Sequence, residues 1–269
     1  MLSENIKNQA ILLVTDKDSP VIIDQYNALK KATEKYADVF IAYHQKETQK
    51  LSYVNNADYY LFSNSILTEL GYNPLGPSLV PGNNHYPLLK FYRENPGYDY
   101  YWVIEDDVRF SGDWALLFDS FINHSADFIT CTIRHWIEEP TWGWWRLEHK
   151  SKEIPLEKRI KSFNPIYRIS NSALDFLNKV LLDGWWGHHE VLMPTMLKNG
   201  GYEIADFGGV SKYTPKGFVK KFYTANKWDK EGLMTYGTMR WKPVFDSVGL
   251  EPDKLYHPVK DFYPKRDAF

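Results

Sequence analysis

The sequence of 269 residues has a single cysteine, no long apolar run and no excess of either charge. Cys131 cannot form a disulfide within the chain, and no apolar stretch approaches the roughly 18–20 residues of a membrane-spanning helix. The amino-terminal stretch MLSENIKNQAILLVTD lacks the basic region and long apolar run of a signal peptide. We therefore expect a cytoplasmic protein without a transmembrane segment, whose membrane association, if it has any, is peripheral.

The charge balance argues against a general binder of polyanions. There are 32 Lys and Arg against 34 Asp and Glu, whereas nucleic-acid-binding proteins usually have a basic excess. Aromatic residues are abundant, with ten Trp, nineteen Tyr and fifteen Phe. They suit a core, and they also suit surfaces that stack against flat or ring-shaped ligands. Nucleic acid is therefore not an expected partner.

Buried strands alternate with amphipathic helices in the first half of the chain. Residues 10–15 form a continuous apolar run, residues 21–36 repeat apolar residues at helical spacing, and residues 38–44 form a second apolar run. Such a β-α-β unit predicts a parallel sheet that binds ligands at the carboxyl ends of its strands. Further strands are predicted at 59–63, 100–105 and 127–134, and further helices at 87–95 and 114–122.

The second half of the sequence has a different composition and pattern. A Trp-rich loop at 135–150 precedes a short strand at 167–170. Helices are predicted at 172–184 and 188–201, the second ending at two glycines, and a short strand follows at 202–209. We expect one α/β domain with a mixed central sheet, a Rossmann-like first half and flanking helices.

Three consecutive carboxylates, Glu105, Asp106 and Asp107, follow the apolar strand YYWVI. Alternation along a strand places Glu105 and Asp107 on one side and Asp106 on the other. Mg²⁺ and Mn²⁺ prefer oxygen ligands, and Mg²⁺ often uses one or two carboxylates together with substrate phosphates. This pattern predicts a site for a divalent cation and a diphosphate, although an exposed acidic turn is the alternative.

A β-α-β start, a strand that ends in EDD near residue 105, and an acidic helix in the second half together resemble the GT-A-fold nucleotide-sugar glycosyltransferases. The resemblance implies that EDD is a variant of the D-x-D motif, which binds Mn²⁺ or Mg²⁺ and the donor diphosphate. Asp107 is then the best ligand candidate, with Glu105 or Asp106 as its companion. It also implies a single domain, in which residues 1–134 bind the donor nucleotide and residues 135–269 contribute acceptor binding and a tail.

The segment GWWGHHEVLMPT, residues 184–195, contains the candidate catalytic base. In inverting transfer a carboxylate removes the proton of the acceptor hydroxyl, and Glu190 resembles the acidic residue that begins the acceptor-side helix in inverting GT-A enzymes. An ordinary first-turn acid favoured by the helix dipole is the alternative. A zinc hydrolase is not expected, because HHEVLM lacks the second histidine of H-E-x-x-H.

The late segment LYHPVKDF contains His257 and Lys260. Their placement is similar to the late metal-binding histidine and the diphosphate-binding basic residue of many GT-A enzymes. A surface histidine in the tail is the alternative. If His257 is not a ligand, Lys260 would carry more of the leaving-group stabilisation, as basic residues do in core-2-type relatives.

The remaining candidates bind the two substrates. Because ligands lie at the carboxyl ends of open sheets, the nucleotide is expected to contact Thr15, Asp16, Tyr43, Asn84 and His85, together with Asp106. The acceptor is expected near Trp142, Trp144, Trp145, Trp185, Trp186, His188 and His189. The tryptophans of the 135–150 loop could instead anchor that loop to the body of the protein.

These expectations favour an enzyme that moves a hexosyl or N-acetylhexosaminyl group from a nucleotide-sugar donor to a carbohydrate or glycoconjugate acceptor. A glycoside hydrolase that uses Asp107 and Glu190 as its acid pair is one alternative. A non-catalytic carbohydrate-binding protein on the same scaffold is another.

Overall fold

A seven-stranded mixed sheet organises the part of the chain that the computed structural model describes, residues 8–46, 57–228, 230–231 and 233–260. The strands are β1 (Gln9–Thr15), β2 (Ala37–His44), β3 (Tyr59–Phe62), β4 (Tyr100–Glu105), β5 (Arg109–Phe110), β6 (Phe128–His135), β7 (Leu147–Glu148), β8 (Ile160–Ser170), β9 (Trp186–Gly187), β10 (Ile204–Asp206), β11 (Lys227–Trp228), β12 (Met234–Thr235) and β13 (Leu255–Tyr256). The helices are α1 (Pro20–Thr33), α2 (Ile66–Glu69), α3 (Tyr86–Glu94), α4 (Trp114–Phe121), α5 (Asn171–Asp183) and α6 (His189–Asn199). Two short 3-10 helices, Trp136–Glu138 and Leu156–Lys158, complete the set.

The order of strands in the large sheet is β3-β2-β1-β4-β8-β6-β10. Only β8 runs antiparallel to its neighbours β4 and β6; the other pairs in this sheet are parallel. The chain builds outward from β1 through β2 to β3 and then returns to place β4 on the other side of β1. Such a reversal of strand order opens a crevice at the carboxyl ends of the two central strands. The predicted α/β class, with a mixed sheet and flanking helices, is confirmed.

Two apolar layers sandwich this sheet, and alternation along β1 shows how. Ala10 and Leu12 face the layer that contains α2, α3, α5 and α6, while Ile11 and Leu13 face the layer that contains α1 and α4. All four side chains are fully buried. Both faces of the sheet are therefore covered by helices, and its carboxyl edge is where polar side chains gather.

The strand β8 differs from its prediction. The sequence predicts a strand only at 167–170, but β8 has 11 residues and begins at Ile160. Its first half carries Ser162 and Asn164, which are buried because they pair with each other and with Thr130 of β6. Buried polar residues that satisfy one another across two strands give no apolar pattern in the sequence.

A carboxy-terminal segment closes against the turn that follows β4. The strand β13 pairs with β5 in antiparallel fashion, and the backbone N–H of Val259 donates to the carbonyl of Asp107 at 2.8 Å. These contacts carry His257 and Lys260 to the carboxylate cluster. Among the described residues, no helix has the length and apolar character needed to cross a bilayer.

Candidate active site

A cavity of about 260 Å³ opens at the carboxyl ends of the central strands. Residues from β1, β2, β3, β4 and β8 and from the turns around α3 line it. They are Val14, Thr15, Asp16, His44, Phe62, Leu79, Val80, Asn84, Pro87, Val103, Glu105, Asp106, Asp107, Asn164 and Tyr167. The cavity therefore occupies the crevice that the reversed strand order creates.

Three buried polar atoms of this lining have neither a hydrogen-bond nor an ion-pair partner within the part of the chain that the structure describes. They are Oδ1 of Asn84, Nδ2 of Asn164 and the hydroxyl of Tyr167. Buried polar groups are nearly always paired, and each unpaired one costs about 1–3 kcal/mol. Such a concentration of unpaired donors and acceptors around one cavity is typical of a site that binds a polar ligand.

Glu105, Asp107 and His257 form a group that could hold a metal ion, with one ligand atom from each residue within 4.8 Å of the others. Nε2 of His257 lies 3.2 Å from Oδ1 of Asp107 and 3.5 Å from Oε2 of Glu105. The other ring nitrogen, Nδ1, donates to the carbonyl of Arg240 at 2.8 Å. That bond directs Nε2 toward the carboxylates, as outer-shell partners do for metal-binding histidines.

The three residues fit a divalent cation on this geometry. Oδ1 of Asp107 faces Nε2 of His257 within the cluster, and Nδ2 of Asn84 donates to Oε1 of Glu105 at 3.1 Å, which leaves Oε2 on the side of His257. Two carboxylate oxygens and one imidazole nitrogen suit Mn²⁺ better than Mg²⁺, which favours an all-oxygen set.

Charge pairing holds this cluster together. Burial acts to lower the pKa of His257, but its contacts with Asp107 and Glu105 outweigh burial and raise the pKa to about 9. Burial acts to raise the pKa of Asp107, but His257 and Lys260 bring that pKa well below its usual range. The Lys260 ammonium donates to Oδ2 of Asp107. A cation would therefore take the position of the His257 proton beside Asp107 and Glu105.

Asp106, in the turn that follows β4, points away from the cluster. Its carboxylate accepts from the hydroxyl of Thr15 at 2.5 Å and from the Lys17 ammonium at 2.9 Å. Thr15 ends β1 and Asp106 follows β4, so this contact ties the two strands together at the point where the strand order reverses. Asp16, also in the lining, pairs with Lys46 at 2.7 Å.

Glu190 lies in the first turn of α6, and its side chain is only 15% exposed. Burial raises its pKa to about 7. The charge of Lys161 and a backbone hydrogen bond with Asn164 act to lower the pKa of Glu190, and the charge of Glu105 acts to raise it. Glu190 is therefore within electrostatic reach of the cluster and is joined to the cavity wall through Asn164. A carboxyl with a pKa near 7 suits a general base at neutral pH.

His188 caps α6 and supports the backbone at Glu190. Its Nδ1 accepts from the backbone N–H of Glu190 at 3.3 Å, and its ring contacts those of Trp142 and Trp144, with centroids 5.8 and 5.1 Å away. Burial lowers the pKa of His188 to about 4, so its ring is neutral at pH 7. His189 is buried and packs against His188 and His85.

The predicted acceptor tryptophans fall into two groups. Trp145 and Trp185 are 6% exposed, and the indole N–H of Trp145 donates to the carbonyl of Glu139 at 2.9 Å; both therefore anchor their segments. Trp144 is 43% exposed, and Trp142 and Trp186 are half-buried. These three leave ring surface for a ligand, and the acceptor role of the set stays a prediction.

Two predicted nucleotide contacts do not reach the cavity wall. Tyr43 packs in the core beside β1, and its buried hydroxyl has no partner among the described residues. His85 is 2% exposed, and burial lowers its pKa to about 3. Tyr43 lies within the buried strand β2, and His85 immediately precedes the largely buried first turn of α3.

Four polar residues in or beside the cavity lining are absent from the sequence prediction. Lys17 stands between two acids in TDKD, which gives a weak signal for a cation near the carboxyl end of β1. Asn164 and Tyr167 belong to β8, whose first half gives no strand pattern. His44 ends β2 and stacks on Phe62, with centroids 5.2 Å apart; its position after an apolar strand could have identified it.

No protein-family model matches this sequence, and no curated protein matches it. Solved structures with a similar fold include a Bacillus anthracis protein described as a glucose-1-phosphate thymidylyltransferase, at 12% identity and a TM-score of 0.41, over 76% of this chain and 87% of that one. An active-site mutant of LgtC matches at 9% identity and a TM-score of 0.42, over 78% and 81% of the two chains.

The bifunctional IspDF of Campylobacter jejuni is also similar, at 12% identity and a TM-score of 0.39, over 79% of this chain and 52% of that one. This chain therefore spans about half of IspDF. At such identities and scores these likenesses carry no argument about activity, which has to be derived from the site itself.

Proposed function

We propose that this protein is a glycosyltransferase that moves a sugar from a nucleotide-diphosphate donor to a hydroxyl of a carbohydrate or glycoconjugate acceptor. The donor nucleotide occupies the cavity at the carboxyl ends of β1, β2 and β4, which belong to residues 1–134. The acceptor lies toward α6 and the Trp142–Trp144 side, within residues 135–269.

One observation carries this proposal. A histidine from near the end of the described chain lies 3.2 Å from Asp107 and 3.5 Å from Glu105, at the reversal of strand order and beside a cavity with three unpaired polar atoms. A purely structural ion pair needs no such cavity. A diphosphate donor in the cavity would pair with these atoms, and a cation held by the three residues would supply positive charge to its phosphates.

Glu105, Asp107 and His257 would hold the cation, and Mn²⁺ fits the donor set best. A cation bound there would supply Lewis-acid stabilisation to the departing diphosphate. Lys260 adds a second positive charge beside Asp107. The unpaired Oδ1 of Asn84, Nδ2 of Asn164 and hydroxyl of Tyr167 would satisfy polar groups of the bound donor.

Glu190 acts as the base. As the acceptor oxygen forms its bond to the anomeric carbon, its proton passes to the Glu190 carboxylate, and the bond from that carbon to the diphosphate breaks. The departing diphosphate keeps the bonding electron pair, and Lys260 balances its charge. A single displacement of this kind inverts the configuration at the anomeric carbon.

A glycoside hydrolase is the second candidate, and one observation favours it. The pKa of Glu190 is raised to about 7 and that of Asp107 is lowered below its usual range, which is the pattern of an acid and a nucleophile. However, both oxygens of Asp107 face cations, Lys260 and His257, which reduce its nucleophilicity.

Thermal unfolding with nucleotides tests the proposal. UDP, GDP and CMP are each added with and without Mn²⁺, and one of them is expected to raise Tm only when Mn²⁺ is present. A ligand at 100 times its Kd stabilises by about 2.7 kcal/mol, which corresponds to a rise of roughly 5–10 °C for a chain of this size. No rise with any nucleotide, together with hydrolysis of a nitrophenyl glycoside, would establish the hydrolase instead.

A further inference from the structure

Positive charge is concentrated in one stretch of the chain. Residues 207–245, here called the basic segment, contain eight Lys and Arg but only two Asp and Glu, and residues 207–228 contain no acid. The whole chain has more acids than bases, 34 against 32. The rest of the protein is therefore acidic, and the basic segment is a local exception. A stretch with this excess of positive charge attracts anionic surfaces although the net charge of the protein is negative.

The basic segment also exposes large apolar side chains. Trp241 is 74% exposed and Leu233 is 68% exposed. Others in the segment that are about half exposed are Val210, Val219, Tyr236 and Val244. Isolated exposed apolar residues are ordinary, but here six fall within 35 residues that also contain the excess of Lys and Arg.

Hydrogen bonds join the middle of the segment, at Thr224, to residues 238–239 near its end. The backbone N–H of Thr224 donates to the hydroxyl of Thr238 at 3.0 Å, and the N–H of Thr238 donates to the hydroxyl of Thr224 at 3.1 Å. The N–H of Met239 also donates to the carbonyl of Thr224 at 3.2 Å. Thr224, in the lysine-rich part of the segment, thus lies next to the residues that lead into Trp241.

Arg240 gives this loop a defined shape. Its guanidinium lies 3.6 Å from the ring centroid of Phe245 and donates to the carbonyls of Pro243 and Gly237 at 2.6 and 3.2 Å. The Lys242 ammonium lies 4.7 Å from the ring centroid of Trp241. An aromatic ring and a cation are therefore exposed together on a compact loop.

The basic segment also borders the candidate active site. The N–H of His257 donates to the carbonyl of Thr238 at 2.9 Å, and Nδ1 of His257 donates to the carbonyl of Arg240 at 2.8 Å. The residues that present Trp241 are thus in direct contact with a residue of the metal cluster. A partner that covers the segment would lie close to the candidate active site.

We propose that the basic segment is a docking surface for an anionic lipid bilayer. Trp and aliphatic side chains partition into the interface between headgroups and acyl chains, and nearby Lys and Arg pair with lipid phosphates. Each Lys or Arg near an anionic surface adds to this attraction. Nucleic acid would use the lysines, but it gives Leu233, Val219 and Val244 nothing apolar to contact. The inference does not depend on the proposed transferase activity.

Sedimentation with vesicles tests the docking surface. The full chain is mixed with vesicles of phosphatidylcholine alone and of equal parts phosphatidylcholine and phosphatidylglycerol. It is expected to pellet with the anionic vesicles and not with the neutral ones, and raised salt should weaken binding. Trp241→Ala is expected to lower the affinity about fivefold. A double variant, Lys216→Glu with Lys227→Glu, is expected to lower it more than tenfold.

Matched controls carry the same changes outside the segment. Leu182→Ala removes a half-exposed apolar side chain, and Lys150→Glu with Lys158→Glu reverses two exposed charges; both variants are expected to bind as the wild type does. An equal loss of vesicle affinity in the control variants, or no pelleting of the wild type with anionic vesicles at low salt, would overturn the proposal. So would tight binding of a single-stranded oligonucleotide without vesicle binding. Because nucleotide-induced thermal shifts are measured separately, failure here leaves the proposed transferase activity untouched.

Discussion

Replacing Glu190 with glutamine is expected to lower kcat about 10²–10⁴-fold and to leave nucleotide binding unchanged. The expected loss is the usual contribution of a positioned general base, and glutamine keeps the shape of the side chain while it removes the proton acceptor. The measurement compares transfer rates and the nucleotide-induced rise in Tm for both proteins. Glu157→Gln, at an exposed position outside the site, is the matched control and should behave as the wild type. A fully active Glu190→Gln protein would remove Glu190 from the mechanism.

The pH dependence of the same pair of proteins gives a second signature of Glu190. Since the base must be ionised, kcat/KM of the wild type should fall tenfold per pH unit below its pKa of about 7. The stability of the wild type should change with pH in the opposite direction to its activity. The folded-state pKa of Glu190 lies above the usual value of 4.5, so wild-type stability falls as pH rises from about 4.5 to 7. Glutamine removes this loss, so the variant should gain about 3 kcal/mol relative to wild type between pH 4 and pH 8.

Asp107→Asn is expected to abolish most Mn²⁺ binding and to lower kcat/KM by at least about 10²-fold. The substitution removes the charge that stands between His257 and Lys260, and an amide is a weak ligand for a divalent cation. Changing only an outer-shell partner of a metal already lowers metal affinity or activity 10–100-fold. Replacing a direct ligand should therefore lower them further. Titration of Mn²⁺ by electron paramagnetic resonance gives the affinity, and a transfer assay gives kcat/KM.

Asp106→Asn provides the matched comparison. Asp106 is the adjacent residue and carries the same charge, but its carboxylate faces Thr15 and Lys17 and not the cluster. Its replacement should leave Mn²⁺ affinity within a few-fold of the wild type. If Asp107→Asn bound Mn²⁺ as tightly as Asp106→Asn, the cation would have to lie elsewhere.

The fold was predictable where apolar periodicity is strong. The strands β1, β2 and β4 are buried on both faces, so their apolar runs predict their positions, and helix α1 follows from its spacing. Once β1 and β4 are recognised as neighbouring parallel strands, Thr15 and the acidic residues at 105–107 must lie at one edge of the sheet. This inference uses only the positions of the strands and no side-chain contact.

Other parts of the site could not be found in this way. Asn164 belongs to a strand whose first half is polar, and its Oδ1 accepts from Thr130 and Ser162; no single-sequence pattern detects such pairing. The approach of His257 to Asp107 depends on two-residue strands, β5 and β13, that lie more than 140 residues apart; a family resemblance, and not periodicity, predicted that approach. An aromatic-rich sequence also gives no sign of which rings are buried, as those of Trp145 and Trp185 are, and the acceptor role of these two residues stays a prediction.

The most direct test of the account is a crystal structure of the protein soaked with Mn²⁺ and the nucleotide that shifts Tm. The account predicts an anomalous peak bound by carboxylate oxygens of Glu105 and Asp107 and by Nε2 of His257, with the nucleotide in the cavity beside Asn84 and Asn164 and a phosphate oxygen on the cation. A structure in which Mn²⁺ and nucleotide bind elsewhere, while His257 keeps its ion pair with Asp107, would contradict it.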